Sequence, residues 1–244
     1  MIIITATEST ENRETDRVTE QNVLNTDCWF AYFDILGFKK LLKDEIRNSS
    51  LAAFIEVDYA DVLRELKQKG DYYPDHIVYT WASDSFVLFT RDNAVSSFIG
   101  LLESAGHFFT ELTQRGWALR GAISYGEFYA DMERFIFVGP TLIDACEYAG
   151  KLEMIGLVVT PRGRKRLQQV QSGYAGTRGD LREYPVQVKP VGTTELLWAY
   201  TFGKYPFTVE PVEQMKQEAL NKTCEEQVIR KYDNTLVFLE ATRQ

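Results

Sequence analysis

The run Cys28-Trp29-Phe30-Ala31-Tyr32-Phe33-Asp34-Ile35-Leu36-Gly37-Phe38 decides the fold of this chain. Residues 28–36 are almost continuously apolar and aromatic, the pattern of a strand covered on both faces. Gly37 and Phe38 then turn the chain toward a helix expected to begin near Lys39. One carboxylate, Asp34, stands inside this run, where a charge is costly unless something compensates it. Asp84 repeats the anomaly in Tyr79-Thr80-Trp81-Ala82-Ser83-Asp84-Ser85-Phe86-Val87-Leu88-Phe89.

Working outward from the first strand, Phe54, Ile55, Val62, Leu63 and Leu66 recur at helical spacing, which predicts a helix over about 50–69 that ends at Gly70 and Pro74. Residues 76–81 and 85–90 read as the arms of a hairpin with Ala82-Ser83-Asp84 at its tip. Phe98, Leu101, Leu102, Ala105, Phe108, Phe109 and Leu112 form one broad apolar face of a helix over 94–114. Strands are expected at 117–125, 134–138, 157–160, 184–189 and 195–201, with a helix over 140–154. The tail is read as a helix over 212–231 and an edge strand at 235–240. This order suits a mixed sheet with helices on one face, an elaborated ferredoxin-like α/β sandwich. The expected organisation is a polar leader over 1–27 and one domain over 28–244, with a C-terminal extension from about 201.

The composition narrows the class. Of 244 residues, 45% are hydrophobic, enough for one large core. Lysine and arginine total 27 against 35 aspartates and glutamates, a formal charge of −8 that disfavours a nucleic-acid surface. The compact basic run Arg162, Arg164, Lys165 and Arg166 reads as a solvated helix end or as a phosphate contact. No apolar run approaches the roughly 20 residues of a membrane span, so no membrane insertion is expected and a cytoplasmic location is the default. Cys28, Cys146 and Cys224 are odd in number and far apart, as reduced thiols would be. With only His76 and His107, no compact Cys/His zinc array is legible, and both histidines read as structural or superficial.

Each aspartate has an ordinary explanation. Asp34 can cap the following helix or pair with a lysine, and Asp84 can serve a turn through local hydrogen bonds. Set 50 residues apart, on a strand end and a hairpin tip that a sheet can bring together, they also form a plausible seat for divalent metal. The strand-to-helix turn at Leu36, Gly37 and Phe38 would present backbone N–H groups to phosphate oxygens beside them.

A third constellation makes a resemblance specific: Leu119-Arg120-Gly121-Ala122-Ile123-Ser124-Tyr125-Gly126, then Val138-Gly139-Pro140-Thr141. With Asp34-Ile35-Leu36-Gly37-Phe38 and Ser83-Asp84-Ser85, residues 28–200 resemble a class III nucleotidyl cyclase catalytic domain. The YFDILGF, RGAISYGE and VGPTLIDACEYAG stretches are most similar to the bacterial pyrimidine cyclases of anti-phage (Pycsar) signalling. The resemblance implies two Mg²⁺ or Mn²⁺ ions at Asp34, Ile35 and Asp84, with phosphates cradled at Leu36, Gly37 and Phe38. It implies a head-to-tail homodimer with composite sites that turns UTP, or alternatively CTP, into a 3′,5′-cyclic nucleotide read by a separate effector. It leaves open a purine cyclase and a degenerate nucleotide-binding dimerisation domain.

The departures from the family pattern matter as much. Thr80 and Ile136 stand where a purine-reading lysine and aspartate are usual; Thr80 keeps a hydroxyl and Ile136 has no polar group. Tyr79, Trp81 and Tyr125 add bulk nearby. Ser83 and Ala122 replace the usual glycines. Ile143 and Glu147 fall where an asparagine and a transition-state arginine are usual, which leaves Lys151, Lys189, Arg162 and Arg164 as candidate cations. Arg120 reads equally as a support for the site and as a strand or dimer salt bridge.

Overall fold

In a computed structural model, residues 23–38, 57–65, 77–82, 84–170, 180–201, 209–221 and 225–242 are described. The central run forms β1 (Val23–Ile35), five residues longer at its start than the apolar pattern suggests. The hairpin arms are β2 (Ile77–Ala82) and β3 (Ser85–Thr90). Helix α1 (Val95–Gln114) follows, then β4 (Leu119–Asp131), β5 (Ile136–Val138) and α2 (Pro140–Lys151). The chain continues through β6 (Gly156–Val159), α3 (Pro161–Val170), β7 (Leu181–Val188) and β8 (Thr193–Tyr200). It ends in α4 (Glu210–Asn221) and α5 (Glu226–Thr242). Residues 57–65 are helical; the helix start near Lys39 lies outside the described residues.

The strand order is β2-β3-β1-β4-β6-β8-β7, with β5 paired to β4. Within it, β1, β2, β3 and β4 stand in the spatial order 4-1-3-2 and every neighbouring pair is antiparallel. That is two split βαβ units, the ferredoxin-like arrangement. β6 then joins β4 in parallel, and β8 and β7 extend the far side. The fold is thus a mixed α/β sandwich with additional C-terminal helices. No described helix is long and apolar enough to cross a membrane.

Strand alternation assigns the two faces of the sheet. Trp29, Ala31, Phe33 and Ile35 point to one side, where Phe98, Leu101, Phe108 and Phe109 of α1 cover them. Phe33 meets Phe108 with ring centroids 5.3 Å apart, and Phe86 stacks on Phe108 at 3.9 Å. Cys28, Phe30 and Phe128 point to the other side and pack with Ala145 of α2. The expectation of helices on one face is therefore corrected: α2 covers the second face of β1 and β4. β1 is sandwiched between helices, which is why its sequence alternates so poorly.

The expected edge strand at 235–240 is also corrected. Lys231, Tyr232, Thr235, Phe238, Leu239 and Thr242 are the buried residues of α5, spaced three and four apart. That period is helical, and the short Leu236-Val237-Phe238-Leu239 run is ambiguous only when read without its flanks. The single helix expected over 212–231 is divided into α4 and α5.

Candidate functional site

β1 ends and the β2–β3 hairpin turns at the same edge of the sheet. Asp34 lies directly opposite Ser85, the residue after Asp84. Ala82 pairs with Ser85, and Asp84, in the turn between the two strands, is half-buried. The sheet thus brings the two aspartates together across 50 residues of sequence. Their fields overlap: both carboxylates help push the Tyr32 phenol above its ordinary value, after burial, which is the main cause. Both also act on the buried Tyr59 phenol, again raised chiefly by burial.

Tyr32 and Asp34 share the α2-side face of β1. Tyr32 and Ser85 share a hydrogen bond of 2.8 Å between their hydroxyls. Val87 is paired with both Tyr32 and Thr80, so Thr80 belongs to the same row across the sheet. Thr80, Val87, Tyr32, Ser85 and Asp34 are all half-buried and form an open, partly polar floor beside α2. Cys146 of α2 borders it. Burial, then the Asp34 charge, pushes its thiol up to about 11.

Arg120 lies opposite Asp34 on β4 and grips it with a fork. Nε donates to Oδ1 at 3.0 Å and Nη2 to Oδ2 at 2.7 Å. Nη1 donates to the carbonyls of Gly150 and Leu152 at the end of α2, both at 3.3 Å. A guanidinium suits that place twice over, matching the carboxylate geometrically and meeting the negative end of the helix dipole. Within the chain Arg120 forms a cross-strand ion pair with Asp34, the strand salt bridge that was one of its two readings.

An ionised carboxylate offers about four acceptor positions. The Arg120 fork takes two on Asp34, so the remainder and Asp84 are a hard-oxygen donor set that fits Mg²⁺ or Mn²⁺. Ile35, the third expected ligand, is buried and paired with Leu119. The phosphate cradle needs one correction. Leu36 N–H donates to the Ala118 carbonyl at 2.7 Å, so the sheet uses that group. Gly37 is exposed with φ +79°, a left-handed turn that favours glycine, and Phe38 is buried as the helix begins.

The four cations proposed for the missing arginine separate cleanly. Arg164 pairs with Glu183 at 2.6 Å and lies over Trp198, while Arg162 packs against Gly126. Lys151 lies over Tyr148. Lys189 donates to the Gly150 carbonyl at 2.8 Å, the same carbonyl that Arg120 uses. Ile143 and Glu147 are exposed on α2. Lys231 of α5, which the sequence reading missed, joins this neighbourhood. Burial lowers its pKa and Glu153 opposes that shift, while Arg120 and Lys189 add to it. No motif marks Lys231, because α5 lies beyond the residues that carry the resemblance.

A second cluster was also missed. Glu65, His107 and Glu111 each place one ligand-type atom within 4.8 Å of the other two, the one such three-residue group among the described residues. The His107/Glu111 spacing of four was a visible signal, but Glu65 lies far away in sequence.

No family model matches the chain, and no curated protein matches it. Among solved structures it is similar to the adenylyl cyclase CyaB from P. aeruginosa, at 13% identity and TM-score 0.46, over 73% of this chain and 95% of that one. It is similar to the catalytic core of a rhodopsin-guanylyl cyclase with converted specificity in complex with ATPalphaS, at 12% identity and TM-score 0.48, over 73% and 97%. An adenylate/guanylate cyclase/hydrolase from Silicibacter pomeroyi matches at 14% identity and TM-score 0.44, over 72% and 96%. At these identities and scores the likeness assigns neither family nor activity.

Proposed function

We propose that the chain is a class III nucleotidyl cyclase that converts a pyrimidine nucleoside triphosphate, UTP before CTP, into its 3′,5′-cyclic monophosphate and pyrophosphate. The observation that carries the reading is the meeting of Asp34 and Asp84 at one sheet edge, with Arg120 locking the first of them. Two carboxylates so placed are a seat for ions beside a triphosphate. Divalent ions bound there would polarise the α-phosphate and lower the pKa of the ribose 3′-hydroxyl.

The chain's own residues supply position. Arg120 fixes both oxygens of Asp34, so that carboxylate presents its remaining lone pairs in one orientation. In this reading the backbone N–H groups at Gly37 and Phe38 would face phosphate oxygens. Tyr32 and Thr80 form the floor on which the base rests, with the Thr80 hydroxyl as its polar contact and no charged purine-reading partner. Lys189 is the cation best placed to meet the leaving phosphates, because it already lies beside Arg120 at the end of α2.

The partner subunit completes the pocket in this reading. Phe135, Ile136, Val138 and Ile143 are exposed large apolar residues on the β4–β5 hairpin and the start of α2, with Phe135 at 74% exposure. An apolar patch of this kind supports a head-to-tail homodimer with composite sites. The cyclic product would act on a separate effector in anti-phage signalling.

Incubation with each of the four NTPs and Mg²⁺ or Mn²⁺, read by product mass, tests the proposal. Cyclic UMP or cyclic CMP supports it; clean conversion of ATP or GTP alone defeats the base assignment. One observation favours a second reading: exposed Glu147 offers no donor where an arginine is usual. A degenerate nucleotide-binding dimer would bind triphosphate with no turnover under any metal.

A further inference from the structure

We propose that Tyr59 is a positioning residue for the Asp84 carboxylate: its buried hydroxyl donates to a bridging water that in turn donates to Asp84 and orients it at the metal seat. The inference rests on that seat as proposed above. It adds a group that does for Asp84 what Arg120 does for Asp34.

The two aspartates are supported unequally. Asp34 is held by the Arg120 fork. Asp84 is half-buried in its turn, and among the described residues no hydrogen bond or ion pair holds it. A carboxylate free to rotate presents no fixed lone pair to an ion. Tyr59 is the complementary case. Its side chain is fully buried, and its Oη has no hydrogen-bond partner. A buried donor is costly to leave unmade, and ordered water commonly meets such groups in folded proteins. A water that bridges two polar groups serves nearly as well as a direct hydrogen bond.

The placement of Tyr59 brings donor and acceptor to one end of the sheet. Tyr59 lies in the helical segment 57–65, and its neighbour Asp58 accepts from Trp117 Nε1 at 2.6 Å and from Arg115 Nη1 at 3.2 Å. Trp117 precedes Ala118, whose carbonyl accepts the Leu36 N–H, so the segment is pinned where β1 finishes. The Tyr59 ring meets Phe86 at 5.6 Å and Phe108 at 5.4 Å, both edge-on. Phe86 is two residues beyond Asp84 and pairs with Phe33, the residue before Asp34. Packed in this way, the ring keeps its hydroxyl out of bulk water. The charges of both aspartates reach it, Asp84 more strongly than Asp34, and with burial, the largest cause, they raise the phenol pKa. The hydroxyl therefore keeps its proton and remains a donor throughout the neutral range. Tyr59 packs on the α1 side of the sheet, whereas Arg120 reaches Asp34 from β4, so the two carboxylates are braced from different sides.

Tyr59→Phe keeps the ring and removes only the hydroxyl. The full chain, stripped with chelator and free of nucleotide, is titrated with Mn²⁺ alone, and the free ion is read by electron paramagnetic resonance. Asp84→Asn and the double variant are titrated beside it. Tyr59→Phe should weaken Mn²⁺ binding about tenfold. It should leave the far-UV circular dichroism unchanged and the urea midpoint unchanged or higher, since it removes an unpaired buried polar atom. In the Asp84→Asn background the same substitution should change nothing further. A hydroxyl that served packing alone would move the midpoint and leave Mn²⁺ affinity where it was. The inference is overturned, with the metal seat left standing, if Asp84→Asn weakens Mn²⁺ binding and Tyr59→Phe does not. It is overturned equally if Tyr59→Phe unfolds, because the hydroxyl then serves the fold, or if it weakens binding to the same degree without Asp84. Mn²⁺ binding that Asp84→Asn leaves unchanged defeats the metal seat itself, and this inference with it.

Discussion

Replacing Arg120 and Asp34 singly and together tests the junction on which the site depends. The pair is a two-pronged ion pair with side-chain exposures of 11% and 18%, and Arg120 also serves two helix-end carbonyls. Arg120→Met removes the cation but leaves the carboxylate and both carbonyls in a place shielded from water. Truncating one partner of a buried pair costs about 3–5 kcal/mol; residual exposure of Asp34 sets this case near the lower figure. Asp34→Asn keeps an oxygen for the guanidinium and leaves the carbonyl contacts intact, so about 2 kcal/mol is expected. If the losses were independent, the double variant would fall by about 5 kcal/mol. The fork predicts a loss of about 3 instead, because the second substitution removes a charge the first has already orphaned. Urea denaturation of the four proteins, read by tryptophan fluorescence, gives a coupling energy of about 2 kcal/mol on this reasoning. A coupling below about 0.5 kcal/mol would refute it, and Arg120 would then owe its place to Gly150 and Leu152 alone.

Asp84→Asn, at a half-buried turn, should leave the urea midpoint within about 0.5 kcal/mol of the parent while abolishing metal-dependent turnover of triphosphate; retained turnover removes Asp84 from the metal seat. Cys146, with its thiol pushed up to about 11 from 9.0, should carry about 100-fold less thiolate at pH 8 than an unperturbed thiol. Cys28, pushed up to about 12, should carry less still, and peptide-resolved alkylation at pH 8 checks both. The same shift has a sign in stability. The folded state holds its Cys146 proton longer than the unfolded chain, so stability should fall as pH rises from about 9 toward 11. Denaturation midpoints across that range would show it. Gly139→Ala should cost about 1–3 kcal/mol, because a Cβ there would lie 2.5 Å from the Glu127 carbonyl oxygen and 2.9 Å from the Phe128 Cα, both backbone atoms; a neutral effect by thermal melting would show that the β5–α2 junction yields.

The central sheet was legible because its strands obey local rules. β1 reads as buried from its apolar density, the β2–β3 hairpin from its period and turn, and α1 from seven apolar residues on one face. What the sequence hid is long-range. Nothing local says that Arg120 should face Asp34 rather than solvent; that follows from the pairing of β1 and β4 residue by residue. Leu36 shows the converse. Its place in a strand-to-helix turn suggested a phosphate donor, but β1 continues far enough for Ala118 to accept its N–H. The tail misled because a four-residue apolar run satisfies either period, and only Lys231, Tyr232 and Thr242 around it select the helix.

That misread tail bears on the site more than a peripheral helix would. Gly150 and Leu152 accept from Arg120, and Gly150 also accepts from Lys189. The next residues are held by α5: Thr235 Oγ1 accepts from Ile155 N–H at 2.8 Å, and Asn234 Nδ2 donates to the Glu153 carbonyl at 2.8 Å. The Glu153 carboxylate, buried at 6% exposure, meets Lys231 and Arg230, each at 3.6 Å. A carboxylate so enclosed needs a compensating charge, and among the described residues the two cations that reach it belong to α5. Segment 150–155 is therefore fixed on one side by the C-terminal helix and on the other by the arginine that orients Asp34. Its carbonyls hold the guanidinium still because the segment is held both by α5 and by the end of β7, where Glu153 N–H donates to the Gln187 carbonyl and Lys189 N–H to the Lys151 carbonyl, each at 2.9 Å, so the orientation of the Asp34 carboxylate depends in part on residues some two hundred positions later in the chain.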